Sequence, residues 1–472
     1  RELAHLGLDT TGGPSWKPLP VAFTALFAPL SKLNDGLPAA LWVVVARAGG
    51  LLALALTFRI SARTAGGETH RRVIAGTIAT VAVVLTPGWL RYMFHGNEAP
   101  LAIGLALWAV AAHLDGRRRW ALVLGALVCL ARPEIFGFLL LYGGYLWWRS
   151  PRSRRLTAAV LAFVPLAWLL PSWVGSGDPL FAGEQARSEP SWSLSLAPVP
   201  WRAALEVAQS QTWIVLEAGA LVAILLALAT TRRTRSALPA PALPGLVAAL
   251  SGFAVGIVGL YAVMTEAGFS GNVRYVLPAL VALALLGGVG AALALDVAAG
   301  LGRRAAAGVG RQAAASGAAA GAIAATVLLA IVGAPDLRKH VATAHVEVDE
   351  AVERSQLHAD LTRAVDELGA HYVTSFGPAA VNRSFQTHLA WELSLPLGDV
   401  HGARGRGFVF RAPAEPVAGV VHLYRRARQR TLVSSVGQWR VTARPPNARH
   451  IFTWPVVGFN LRAAAATGSR SG

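Results

Sequence analysis

Ten apolar stretches follow one another along this chain, at 37–58, 73–90, 99–114, 120–131, 134–148, 156–174, 213–230, 240–264, 275–300 and 313–334. Such segments have few ways to fold. About 20 apolar residues match a hydrocarbon core about 30 Å thick, and backbone inside that core must satisfy its hydrogen bonds within helices or a closed barrel. Charged residues are 14% of the 472, against about 25% in soluble domains. A soluble globular enzyme and a disordered chain are both excluded, and the expectation is a polytopic α-helical membrane protein with about ten transmembrane segments. The single cysteine, Cys129, sits inside an apolar run, which excludes a disulfide framework or a cysteine metal site within one chain.

The net charge is +18, a value that would ordinarily raise nucleic-acid binding. The position of the arginines decides otherwise. Seventeen of them lie in five short connections: Arg59, Arg63, Arg71 and Arg72; Arg117–Arg119; Arg149, Arg152, Arg154 and Arg155; Arg232, Arg233 and Arg235; and Arg303, Arg304 and Arg311. The positive-inside rule places all five on the cytoplasmic face, so the charge is a topology signal and nucleic acid is not an expected partner. Residues 1–36, 175–212 and everything after 335 are then extracytoplasmic. The alternation also expects a further helix before Arg1.

Two stretches are short. Residues 120–131 span about 18 Å as a helix and 135–148 about 21 Å. One long kinked helix over 120–148 would move the arginines at 149–155 to the wrong face, so a short hairpin is expected, with Arg132-Pro133-Glu134 recessed below the outer surface. Charge at that depth lines a watery cavity or is paired. Arg47, about ten residues into the first apolar stretch, is read similarly, as a cavity-wall charge or a side chain paired to carbonyls. Residues 19–33 are too short to span and read as an interfacial helix, so 1–36 form a first outer loop and 37–335 the membrane domain. From 336 to 462 the charge returns. A helical pattern over 340–368 and strand-like runs at 372–376, 408–410, 420–424 and 439–441 predict a small extracytoplasmic α/β domain, with a disordered tail at 463–472.

Several outer-face elements resemble the C-type (GT-C) superfamily of integral-membrane glycosyltransferases, in its aminoarabinose-transferase and protein-mannosyltransferase branch. They are Arg1-Glu2-Leu3 with Trp16-Lys17-Pro18-Leu19-Pro20, then Gly96-Asn97-Glu98-Ala99-Pro100, Leu130-Ala131-Arg132-Pro133-Glu134, Gly177-Asp178-Pro179-Leu180-Phe181, and Asn272-Val273-Arg274-Tyr275-Val276-Leu277-Pro278. The resemblance covers residues 1–278 and keeps their order. It implies an enzyme of the plasma membrane that transfers a sugar from a polyprenyl-phosphate donor to an extracytoplasmic glycan, lipid or protein. In that family the catalytic acid precedes the Arg-Glu pair; it is expected upstream of Arg1, with Asp9 as the substitute within the chain.

Such a transfer needs a carboxylate to take the acceptor's proton, cations for the departing phosphate and an apolar groove for the lipid. Lys17, Arg274 and Arg132 are the candidate phosphate ligands, since arginine forks suit phosphate and lysine supplies a point charge. Glu98 and Glu134 are candidates to bind acceptor hydroxyls, to orient Arg132 or to hold a divalent cation. Arg132 and Glu134 read equally well as an internal ion pair. Arg47, Trp16, Asn97, Asp178 and Tyr275 complete the expected cavity, although Asp178 before Pro179 also reads as a turn residue and Trp16 as an interfacial anchor. A lipid or solute transporter and a non-catalytic membrane scaffold are the alternatives.

Overall fold

The computed structural model describes residues 10, 16–34, 36–187, 193–231, 239–400, 407–412 and 431–444. The ten apolar stretches are largely helical, although 85–88 breaks the second and 240–243 precedes the helix of the eighth. The segment before the first long helix holds α1 (Pro18–Phe27), followed by a 3₁₀ turn, Ala28–Lys32. Then come α2 (Leu37–Ala65), α3 (Thr69–Val84), the short α4 (Trp89–Phe94), α5 (Glu98–Leu114), α6 (Arg118–Ala131), α7 (Phe136–Arg149) and α8 (Arg154–Ser176). Two short helices, α9 (Phe181–Ala186) and α10 (Pro200–Ser210), precede α11 (Ile214–Thr231), α12 (Pro244–Glu266), α13 (Leu277–Ala306) and α14 (Arg311–Leu368). Prolines mark the beginnings of α1, α2, α10, α12 and α13, where the missing N–H costs nothing and the fixed φ suits a first turn.

Among the described residues, α2, α8, α12, α13 and α14 are long and apolar enough to cross a membrane, and α10 with α11, bent by 93° at their break, would make a sixth crossing. The chain is a helical membrane protein. The helices α6 and α7 form the expected short hairpin, closed by the turn Pro133–Ile135. Large apolar side chains such as Leu51, Phe163, Leu166, Val255 and Ile323 point outward, as lipid-facing positions do.

The chain divides into two compact units, Arg1–Glu353 and Arg354–Gly472. In the first, α13 is the central helix, buried almost continuously from Leu277 to Leu293. Without a strong hydrophobic drive between helices in lipid, close backbone approach through small residues does the packing. Gly290 illustrates it: a Cβ there would lie 1.6 Å from the Gly219 carbonyl oxygen of α11.

The second unit packs the end of α14 with α15 (Ala370–Ser375) and α16 (Gln386–Glu392) on four strands, β1 (Ala380–Val381), β2 (Gly407–Arg411), β3 (Thr431–Val436) and β4 (Trp439–Arg444), in the order β1-β2-β4-β3. The first pair is parallel and the others antiparallel. Leu357, Leu361 and Val365 are buried with Phe408, Phe410 and Trp439, in keeping with the helical pattern read over 340–368. The strand expected at 372–376 is instead the helix α15. Its aromatics stand four residues apart, and Tyr372 and Phe376 both meet Phe408 from one helical face. Pro335, where the composition changes, lies inside α14. The run 420–424 and the tail 463–472 lie outside the described residues.

Candidate functional site

Four segments far apart in sequence converge at one end of the helical unit. Lys17 occupies the N-cap position of α1, directly before Pro18. Glu98 opens α5, with Asn97 as its N-cap accepting from the Ala99 N–H at 2.9 Å; a negative charge at this helix end is favoured by the exposed N–H groups. Arg132 ends α6 because the residue before a proline is forced extended, and its backbone sits at φ −141°, ψ 88°. Arg274 lies in the turn Val273–Tyr275, opened by Asn272, whose side chain accepts from the Arg274 N–H at 3.0 Å.

Their side chains form one network. The Lys17 ammonium pairs with Glu98. Arg132 is 5% exposed; its Nε lies 3.8 Å from the same Glu98 oxygen and its Nη1 3.1 Å from Glu134. Its Nη2 donates to the Arg274 carbonyl at 3.3 Å. The Arg132 and Arg274 guanidinium groups each lie 5.5 Å from the Tyr275 ring centroid, within cation–π range. Three cations thus face two carboxylates, leaving one positive charge uncompensated. Burial pushes the Lys17 ammonium down to about 8; Arg274 and Arg132 add to that shift and Glu98 opposes it. Among the described residues, Arg274 Nε and Trp16 Nε1 are buried with no hydrogen-bond acceptor. A buried cluster with surplus positive charge and an Arg274 Nε–H facing no protein acceptor among the described residues suits an anion.

An apolar cavity of about 540 Å³ lies between α5, α6, α7, α12 and α13. Ile135 and Pro278 line it, one residue from Glu134 and three from Tyr275, and Phe138, Val281 and Leu285 continue its wall. Along α7 it extends from Ile135 to Tyr145, about 15 Å. Polar groups of its wall include His113, near the C-terminus of α5, with the Tyr142 hydroxyl at 2.9 Å, and Tyr145, both tyrosines from the middle and second half of α7.

The other expected site residues are placed as follows. Trp16 is half-buried beside Lys17. Asp178 accepts from the Leu180 N–H at 2.9 Å and is a turn residue. Arg47 is exposed and takes the packing role: its Nη2 donates to the Phe94 carbonyl at 2.9 Å and its Nε to the Met93 carbonyl at 3.4 Å, closing the C-terminus of α4. Asp9 lies outside the described residues. No group of three His, Cys, Asp or Glu side chains gathers as a metal site among the described residues, and Glu98 and Glu134 are both already held by cations, so this donor set does not fit a divalent ion. Tyr92, whose hydroxyl donates to Asn272 at 3.0 Å, escaped sequence reasoning, since a tyrosine near an apolar run carries no signal of its own.

No protein-family profile, curated protein or solved structure matches the chain.

Proposed function

We propose that this protein is a membrane glycosyltransferase that takes a sugar from a polyprenyl-phosphate donor and transfers it to an acceptor on the extracytoplasmic face, in a chain of about ten membrane segments whose arginine loops are cytoplasmic. The observation that carries this reading is the neighbourhood of two unlike features: a buried cluster with one surplus positive charge, and an apolar cavity lined by residues one to three positions from it in sequence. A lipid phosphate is the ligand that needs both at once. The outer-face elements that resemble GT-C enzymes supply the cluster.

In this reading, Lys17, Arg132 and Arg274 hold the donor phosphate. When the bond between the sugar's anomeric carbon and the phosphate oxygen breaks, negative charge grows on that oxygen, and fixed cations at low dielectric stabilise it without reorganising. The acceptor hydroxyl attacks the anomeric carbon and loses its proton to a carboxylate. Glu98 and Glu134 are already held by cations, which suits them to hold the guanidinium and ammonium groups in place; the proton acceptor is assigned to an acid outside this cluster, as the family resemblance implies.

Equilibrium binding of a polyprenyl-phosphate sugar to the purified full chain tests the reading. Arg274→Ala and Lys17→Ala should each weaken binding about tenfold or more, since a charge-assisted contact contributes about 1.5–3 kcal/mol. Arg274→Lys should restore it only partly. Equal affinity for parent and both alanine variants would remove the phosphate clamp. Movement of the lipid across vesicles without sugar transfer would favour the transporter.

A further inference from the structure

The segment of α14 after Pro335 presents a polar stripe to the helical unit. Asp336 accepts from the Ile214 N–H at the start of α11, at 2.8 Å, and Lys339 donates to the Ser210 carbonyl at the end of α10, at 3.0 Å. Further along, Glu347 is 3% exposed and accepts from two backbone N–H groups at the start of α4: Gly88 at 2.5 Å and Arg91 at 3.2 Å. Glu350 adds an ion pair to the Arg91 side chain at 2.9 Å. A carboxylate 259 residues away thus caps a six-residue helix that has no side-chain cap of its own.

That helix leads into the cluster by two routes. Tyr92 donates to the Asn272 side chain, and the same Asn272 oxygen accepts from the Arg274 N–H. At the other end the Asn97 N–H donates to the Tyr92 carbonyl at 3.0 Å, immediately before Glu98. Both the turn bearing Arg274 and the carboxylate shared by Lys17 and Arg132 are therefore referenced to α4. A helix this short has little stability alone, so its placement depends on what holds its ends.

We propose that Glu347 is a positioning residue for the anion site: by capping α4 it fixes Tyr92, and through Tyr92 and Asn272 it sets the geometry of Arg274. The proposal rests on the lipid-phosphate reading of the cluster. It makes α14, which also runs into the second unit, part of the binding machinery without touching the ligand.

Binding of a polyprenyl monophosphate to the purified full chain provides the test, with unfolding midpoints measured alongside. Glu347→Gln keeps the shape but weakens the cap, and affinity should fall roughly 2- to 30-fold, the range for residues that act through others. Glu347→Asp, which keeps the charge and retracts it by one methylene, should show a smaller loss and serves if the amide variant folds poorly. Asp336→Asn removes a similar cap from the same stripe, on the Ile214 N–H of α11, with no hydrogen bond linking it to Arg274 among the described residues; it should lower the midpoint while affinity stays within about twofold of parent. In a Tyr92→Phe background, Glu347→Gln should lose the part of its effect carried by the hydroxyl, because residues acting in series are not additive, and keep only what passes through the Tyr92 carbonyl to Asn97. The proposal is overturned if Glu347→Gln binds like the parent, if Asp336→Asn weakens binding equally, or if the effect persists undiminished without the Tyr92 hydroxyl. If the parent itself does not bind the lipid phosphate, the anion-site reading falls first and this inference falls with it.

Discussion

Replacing Arg132 by methionine should be among the most damaging single changes in the helical unit, and removing Glu134 as well should undo part of the damage. The guanidinium is the ion-pair partner of Glu134 at 3.1 Å, and the Glu134 side chain is 10% exposed. Glu98 keeps Lys17 when Arg132 is lost; Glu134 keeps no ion-pair partner among the described residues. Leaving one member of a buried pair uncompensated costs about 3–5 kcal/mol, whereas removing both charges leaves a neutral amide whose lost hydrogen bond is worth about 1 kcal/mol. Arg132→Met/Glu134→Gln should therefore be about 2–4 kcal/mol more stable than Arg132→Met. Titration of the purified protein with sodium dodecyl sulfate in mixed micelles, followed by tryptophan fluorescence, reads the order of midpoints. A neutral Arg132→Met, or a double variant no more stable than Arg132→Met, would refute the view that the two side chains form a buried, interdependent pair.

Lys17 sets a pH dependence. Its ammonium is pushed down to about 8, so raising the pH through that value removes one of the three cations; affinity for a lipid phosphate should fall between about pH 7 and 9, shifted upward by a bound anion, and Lys17→Met should bind weakly with no such transition. Gly290→Ala should force α11 and α13 apart, costing at least about 1–3 kcal/mol and lowering the yield of monodisperse protein. Ala106→Phe, in the wall of the apolar cavity, should weaken binding of long-chain polyprenyl phosphate while sparing a short-chain analogue; equal loss for both would place the tail elsewhere. For orientation, Ser355→Cys should react with an impermeant thiol reagent in intact cells and Gly308→Cys only after permeabilisation, with the native Cys129 silent because it is buried; the reverse pattern would invert the topology.

Much of the helical unit was legible because lipid leaves the backbone so few choices. The arginine clusters at 59–72, 117–119, 149–155 and 303–311 mark helix junctions, while 232–238 lies outside the described residues, and the turn at Pro133 followed from two helices of only 14 residues each. Lys17, Glu98, Arg132, Glu134 and Arg274 could be singled out one at a time, as charges beside apolar runs. What the sequence did not carry was their mutual geometry: that one Glu98 oxygen faces both Lys17 and Arg132, or that Tyr275 sits against two guanidinium groups. Arg47 shows the limit of the depth argument, for a charge within an apolar run is satisfied equally well by carbonyls at a neighbouring helix end. The run 372–376 reads as a strand because aromatic residues favour strands by propensity, but the four-residue spacing of Tyr372 and Phe376 puts both rings on one face of a helix, where they meet Phe408. Glu347 gave no local sign, since its partners are backbone N–H groups 256 and 259 residues away.

The surplus charge beside an apolar cavity has a consequence for selectivity. A membrane is crowded with phosphodiesters, and a cluster that recognises only phosphate would bind every phospholipid headgroup nearby. Specificity is a difference between affinities, so the cations cannot provide it alone. If the cluster holds a lipid phosphate, as proposed above, discrimination falls to the cavity between α5, α6, α7, α12 and α13. A lipid with a single chain can bury that chain there while its phosphate meets Arg274, whereas a two-chain phospholipid would have to split its acyl chains or leave the headgroup short of the cations. The apolar wall, which carries no charge and no motif, would then be what tells the donor from its solvent.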